Sequence, residues 1–320
     1  MVLGPISYLV LGKASKDAQA NFKPISLLHK ILPIYAKLLS ELKAAGAESV
    51  QIDEPILVLD KAADLEKEYA TAYTQLAPVA PKIVLTTYFA RLDSNVNFIA
   101  KLPIYGLHID LSRAPAQLDH VLAAIKSTQI VLSLGVVSGR NIWKADFTAA
   151  IKQGQKAITA LGEQRVIIAT SSSLLHTPVT LANEKQLTAE QKDWFSFALE
   201  KAAEVSAIAA FLTNPQDPDA AAALEENKIS IAKRREFEHT SDDAVRKRVA
   251  AVTPDLYHRK SVFSVRQELQ AKKLQLPKFP TTTIGSFPVG VIACDARCCF
   301  DFFPKANQRH PQCSCQAWQA

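Results

Sequence analysis

The sequence predicts an α/β protein, most of a parallel barrel followed by an all-helical stretch. Three observations carry that expectation. Six apolar runs rich in Val, Ile and Leu recur over the first 170 residues, and five are followed directly by a helical pattern. Strands alternating with helices imply a parallel sheet whose crossovers are right-handed. Nearly every run gives way at its C-terminal end to polar or charged residues, the face on which barrels build their sites.

In chain order, residues 4–11 read as the first strand. A helix follows, with Ile31, Tyr35, Leu38, Leu42 and Ala45 on one face, Pro33 expected in its first turn and Gly46 just past its end. Residues 48–52 form the second strand, which stops at Asp53-Glu54-Pro55, and a helix covers 61–76. The plan repeats as strand 82–88, helix 93–101, strand 105–110, helix 114–126, strand 129–137, helix 145–161 and strand 165–170. From Thr188 onward only helices are expected: a long one opening at Trp194, then 220–237, 241–252 and 253–273, separated by Pro215, Pro218 and Pro254. Residues 274–280 carry two prolines and read as a linker. Thr281-Thr282-Thr283-Ile284 then begins what looks like the first strand of a second unit.

With 320 residues, 48% of them hydrophobic, the chain can bury one large core. The net charge of +6 is local: residues 226–278 hold 13 Lys and Arg against 7 Asp and Glu. No nucleic-acid motif or interleaved aromatic stripe accompanies that surplus, so solvated helix faces are expected rather than a phosphate-binding surface. No apolar run reaches the roughly 18 residues of a membrane span. The start lacks the basic region and cleavage site of a secretory signal, and the expected address is the cytoplasm, with no membrane or nucleic-acid partner. All five cysteines (Cys294, Cys298, Cys299, Cys313, Cys315) lie in a compositionally foreign tail. Their spacing is not that of zinc knuckles, so residues 289–320 are expected to be a disordered tail of aberrant coding sequence, with no metal site.

The candidate site residues are those at strand ends: Asp53 and Glu54, Tyr88, His108 and Asp110, Arg140 and Asn141, Ser171 to Ser173 and His176. Two carboxylates roughly 5 to 10 Å apart could run general acid/base hydrolysis of a glycoside. The plainer reading gives Asp53 a loop-ordering or capping role, and His108 the part of a satisfied core-edge histidine rather than half of a metal pair with Asp110. No serine-hydrolase elbow, phosphate loop, dinucleotide fingerprint or zinc-protease motif occurs.

The segments GPISYLVLGK, AGAESVQIDEPILVLD, LTTYF, GLHIDL, LSLGVVSGRNIWKAD, TSSSLLHTPV and KFPTTTIGSFP, spanning residues 4–288, resemble in order and spacing the cobalamin-independent methionine synthases. That resemblance implies two face-to-face (βα)8 barrels and methyl transfer from a polyglutamyl methyltetrahydrofolate to homocysteine. A zinc ion would hold the homocysteine thiolate, because the thiolate is the nucleophile. The chain would then be an incomplete TIM-type barrel, six of eight strands, truncated at both ends.

By the same resemblance, residues 1–187 are the partial N-terminal barrel and 188–273 the helical segment completing that domain. Residues 274–288 would be the linker and first strand of the C-terminal catalytic barrel. Ile284, Gly285 and Ser286 match the segment that contacts homocysteine, and Asp53 with Glu54 would be a relic site. The zinc ligands and proton-donating histidine belong to the barrel this sequence only begins, so no catalytic or metal residue is expected here. A monomer, inactive alone, is the expected state. The alternatives are a non-catalytic folate- or partner-binding scaffold and, third, a barrel glycosidase.

Overall fold

The computed structural model describes residues 1–19, 21–237 and 242–280. The chain divides into two compact units, Met1–Asp242 and Asp243–Ala320. The expected strand and site residues Ile284, Gly285 and Ser286, and the cysteine-rich tail, lie outside the described residues.

In the first unit six strands form one sheet: β1 Val2–Leu3, β2 Ser49–Asp53, β3 Lys82–Thr86, β4 Gly106–Asp110, β5 Val131–Val137 and β6 Val166–Thr170. Their spatial order is their sequence order, and every neighbouring pair is parallel. Between them run α1 Pro5–Leu11, α2 Leu28–Ala44, α3 Glu66–Leu76, α4 Val96–Ile99, α5 Leu118–Ile125 and α6 Phe147–Leu161. Among the described residues β1 pairs only with β2 and β6 only with β5, so the sheet is an open arc. This is the incomplete TIM-type barrel that the alternating pattern predicts.

Successive residues of a strand point to opposite faces, and here the two faces differ in chemistry. Val50, Ile52, Ile83, Leu85, Leu107, Ile109, Leu132 and Leu134 pack outward into one core with Leu39, Tyr69, Tyr73, Leu76, Ile99 and Ile125 of the helices. Gln51, Asp53, Thr86, His108 and Ser133 alternate with them and line the inside of the arc. The central strand β4 is buried throughout, whereas edge strand β6 leaves Ile167 43% exposed.

Residues 4–11 correct the sequence reading: only Val2–Leu3 is strand, and Pro5–Leu11 is a helix. A short apolar run does not distinguish the two states by periodicity. Pro5 at the first helical position presets the helical φ. The decisive partner is distant in sequence. The Glu54 carboxylate accepts the backbone N–H groups of Ile6 (3.3 Å) and Ser7 (2.8 Å), satisfying donors that a helix N-terminus leaves free. The approach requires Gly4, because a Cβ there would lie 2.2 Å from the Glu54 carboxyl carbon.

Pro33 also sits elsewhere than expected, at the sixth residue of α2 rather than in its first turn, because a 3-10 turn Pro24–Leu27 starts the helix earlier. Gly46 does end α2, at φ 91, with Gly46 N–H on Lys43 O and Ala47 N–H on Leu42 O. The expected long helix at Trp194 is broken. α7 Ala189–Trp194 ends there, and α8 Ala198–Thr213 begins after a short extended stretch. In that stretch Phe195 bridges Trp143, and the Ser196 N–H donates to Ile142 O at 2.8 Å. Helix α9 Pro218–Glu236, capped by Asp217, completes the unit.

The second unit, as far as it is described, holds α10 Asp243–Ala250, a 3-10 turn Pro254–Tyr257 and α11 Phe263–Leu274. The last two replace the single helix expected over 253–273. None of its described residues is buried, so its basic side chains stand on solvated faces. No helix among the described residues is long and apolar enough to cross a membrane.

Glu54 is fully buried, and that burial pushes its pKa up from 4.5 to about 7 against the pull of its donors. An acid whose folded pKa is raised contributes most stability below its unfolded pKa and loses it as pH rises to the folded one. Wild type is therefore expected to lose stability relative to Glu54→Gln between about pH 4.5 and pH 7, by up to roughly 3 kcal/mol. Urea unfolding of both proteins across that range measures it, and parallel pH profiles would refute it.

Candidate functional site

The C-terminal ends of β2 to β6 surround a cavity of about 390 Å³, lined by Asp53, Thr86, Tyr88, Phe89, His108, Ser133, Thr170, Ser172 and His176 among others. Of the carboxylates singled out from sequence, only Asp53 lines it. Its Oδ1 accepts from Gln51 Nε2 at 2.7 Å and its Oδ2 from the Tyr88 hydroxyl at 3.4 Å. Burial raises the Asp53 pKa, and those two hydrogen bonds oppose the rise. Burial, followed by the Asp53 charge, pushes the Tyr88 phenol up to about 12.

Glu54 follows Asp53 in the chain and so faces the helices, where the Tyr69 and Tyr73 hydroxyls join its backbone donors at 3.5 and 3.2 Å. Asp110 is spent on the loops: its Oδ2 accepts the Phe89 N–H at 3.0 Å and its Oδ1 the Arg113 N–H at 2.9 Å. Of the three carboxylates, one lines the cavity, one is bonded to helix groups and one to loop backbone.

His108 is a neutral structural imidazole. Its Nε2 faces the Ser171 carbonyl at 3.5 Å and carries the proton, so Nδ1 accepts from the Ser133 hydroxyl at 2.8 Å. Burial lowers its pKa from 6.5 to about 4. Both ring nitrogens have hydrogen-bond partners within the protein. Among the described residues no group of three or more His, Cys, Asp or Glu could hold a metal ion.

The rim is built from side chains the sequence reading left in part unnoticed. Phe89 has a left-handed φ of 76, held by its bond to Asp110, and its ring meets Tyr88 at 4.6 Å and His176 at 6.0 Å. The Arg140 guanidinium lies 4.7 Å over the same ring. Asn141 turns inward on its own loop, accepting the Trp143 N–H at 3.1 Å. Ser171 accepts the Gly139 N–H at 3.2 Å, Ser173 caps the following turn at Leu175, and Ser172 packs against Gly139.

Beneath this loop lies a buried polar clamp. Lys201 Nζ donates to Trp143 O at 2.9 Å, Glu204 accepts the Ala145 N–H at 3.1 Å, and Asn227 bonds both Phe147 N and Ala145 O. Lys201 and Glu204 share the buried face of α8 with Ile208. Two charges at the spacing of a core residue were the sequence signal for this clamp.

Two measurements check this geometry. His108 is expected to stay neutral down to about pH 4, so the stability it contributes is complete above pH 6.5 and is lost as pH falls toward 4. An NMR titration reads it directly, and a midpoint near 6.5 would contradict the burial that lowers it. Gly135→Ala would place a Cβ 2.6 Å from Ser171 Cα and 2.8 Å from Ile109 O. Because both neighbours are backbone, it should destabilise by roughly 1–3 kcal/mol or more in urea unfolding.

The family model described as the cobalamin-independent synthase, N-terminal domain, matches residues 1–161. A 5-methyltetrahydropteroyltriglutamate–homocysteine methyltransferase of Candida albicans is 50% identical over 289 residues, covering 90% of this chain and 37% of that protein. The Saccharomyces cerevisiae protein of the same name is 49% identical over 290 residues, again 90% of this chain and 37% of the relative. A solved B12-independent methionine synthase from Shewanella sp. W3-18-1 superposes with a TM-score of 0.45 at 13% identity, covering 62% of this chain and 57% of that one. This chain thus spans little more than a third of its curated relatives' length, and over half of its own length it matches one defined domain: it belongs to the cobalamin-independent methionine synthase family.

Proposed function

We propose that the chain serves the transfer of a methyl group from 5-methyltetrahydropteroyltriglutamate to homocysteine, as the barrel that carries no catalytic residue. The observation behind this reading is the 50% identity over 289 residues to a relative named for that reaction. The internal commitments of the strand-end groups support the non-catalytic part. Glu54 caps α1, Asp110 orders two loops, and His108 is locked between Ser133 and Ser171.

A zinc ion of the family does not fit the described residues, which gather no donor set for it. No step of thiolate activation is therefore assigned to this barrel. Contact with the homocysteine amino-acid group is assigned to Ile284, Gly285 and Ser286 on the strength of the family segment they match. The reading also takes the protein as a cytoplasmic monomer that uses folate as methyl donor and no cobalamin.

The test is methionine formation by the purified chain, supplied with zinc, homocysteine and 5-methyltetrahydropteroyltriglutamate. Methionine is expected to stay at the level of the enzyme-free control. A rate above that control overturns the assignment of a non-catalytic barrel.

A further inference from the structure

Backbone strain gathers in the loop after β3. Of the three non-glycine residues with a left-handed backbone among the described residues, Phe89 (φ 76) and Asp93 (φ 46) both lie there, and the third, Gln275, closes α11. That conformation crowds the Cβ of any residue except glycine, so a bulky side chain adopts it only where its surroundings hold it. For Phe89 the hold is the Asp110 carboxylate, which accepts its N–H at 3.0 Å. The Asp93 carboxylate is tied to Arg91 Nε at 3.0 Å.

The loop is fixed firmly at its two ends. Thr87 donates its N–H and its hydroxyl to His108 O at 3.2 and 2.8 Å, and the Leu92 N–H donates to Gln117 Oε1 at 3.1 Å above a buried side chain. Between these anchors the backbone of Tyr88 to Arg91 makes one hydrogen bond among the described residues, the one from Phe89 to Asp110. A half-exposed segment with so few backbone bonds belongs to the part of a fold that opens locally at low cost. Its side chains nevertheless reach the cavity. Tyr88 and Phe89 both line it, the Tyr88 hydroxyl donates to Asp53 at 3.4 Å, and the Phe89 ring meets Arg140 at 4.7 Å and His176 at 6.0 Å.

From this arrangement we infer that residues 88–91 form a strap at the cavity rim with two states. In the state of the structure Phe89 is left-handed and bonded to Asp110. In the other, Phe89 returns to negative φ, gives up that bond, and carries its ring and the Tyr88 hydroxyl away from the cavity. Strain favours the second state, while a charge-assisted hydrogen bond and the ring contacts favour the first, so the two terms oppose each other at one residue. The strap governs access to the cavity and does not depend on the methyl-transfer reading.

The experiment is amide-nitrogen relaxation dispersion on the full chain, isotope-labelled at Phe and Tyr, with the two signals assigned from Phe89→Leu and Tyr88→Phe. Exchange on the microsecond-to-millisecond scale is expected at Tyr88 and Phe89, with a minor state of roughly 1–10%, whereas Phe98 and Phe147, buried in helices, stay flat. Phe89→Gly holds the left-handed backbone without strain and is expected to cut the exchange at Tyr88 at least about fivefold. Flat profiles at Tyr88 and Phe89 in the wild-type chain, a result that needs no variant to interpret, overturn the proposal. So does exchange at Tyr88 that Phe89→Gly fails to reduce.

Discussion

A carboxylate buried without a cation has to be surrounded by hydrogen-bond donors, and around Glu54 stand the backbone N–H groups of Ile6 and Ser7 and the hydroxyls of Tyr69 and Tyr73. Those donors come from α1 and α3, so one side chain joins the end of β2 to two helices. It also decides what the preceding residue does. Adjacent strand residues face opposite sides, so committing Glu54 to the helix layer sends Asp53 into the barrel. Gly4 and Pro5 are the local terms of this arrangement, one giving room and the other φ, and Glu54 is the long-range term that makes the segment a helix.

The same division recurs around the arc. Asp110 ends β4 and spends its carboxylate on backbone N–H groups at Phe89 and Arg113. Ser171, after β6, accepts from Gly139 and offers its carbonyl to His108. Polar groups at barrel strand ends are where catalysts are usually found, yet here most of them hold loops. The clamp of Lys201, Glu204 and Asn227 extends the pattern below the loop after β5, where buried charges fix backbone.

Sequence pattern revealed five of the six strands, β2 to β6, and most of the helices because their apolar periodicity is local. It also placed Asp53 and Asp110 at strand ends, since each closes such a run, whereas His108 lies in the middle of β4. What it missed depends on contacts between distant residues. Residues 4–11 are apolar enough for either state, and only the Glu54 carboxylate, 47 positions from Ser7, resolves them. The left-handed Phe89 has no composition signal, because its backbone is held by an aspartate 21 residues away. The break after Trp194 reflects pairing with Trp143 rather than any helix-breaking residue.

The two strongly shifted strand-end groups also act against each other as pH changes. Glu54 is raised to about 7, so folding takes up a proton there between pH 4.5 and 7. His108 is lowered to about 4, so folding releases a proton there between pH 6.5 and 4. Stability falls with rising pH through the first and rises through the second, because the slope follows the difference in bound protons. Where the windows overlap, from about 4.5 to 6.5, the two nearly cancel. A flat stability profile in that range is therefore what two oppositely tuned buried groups produce together, and only above pH 6.5 does the Glu54 contribution act unopposed by His108.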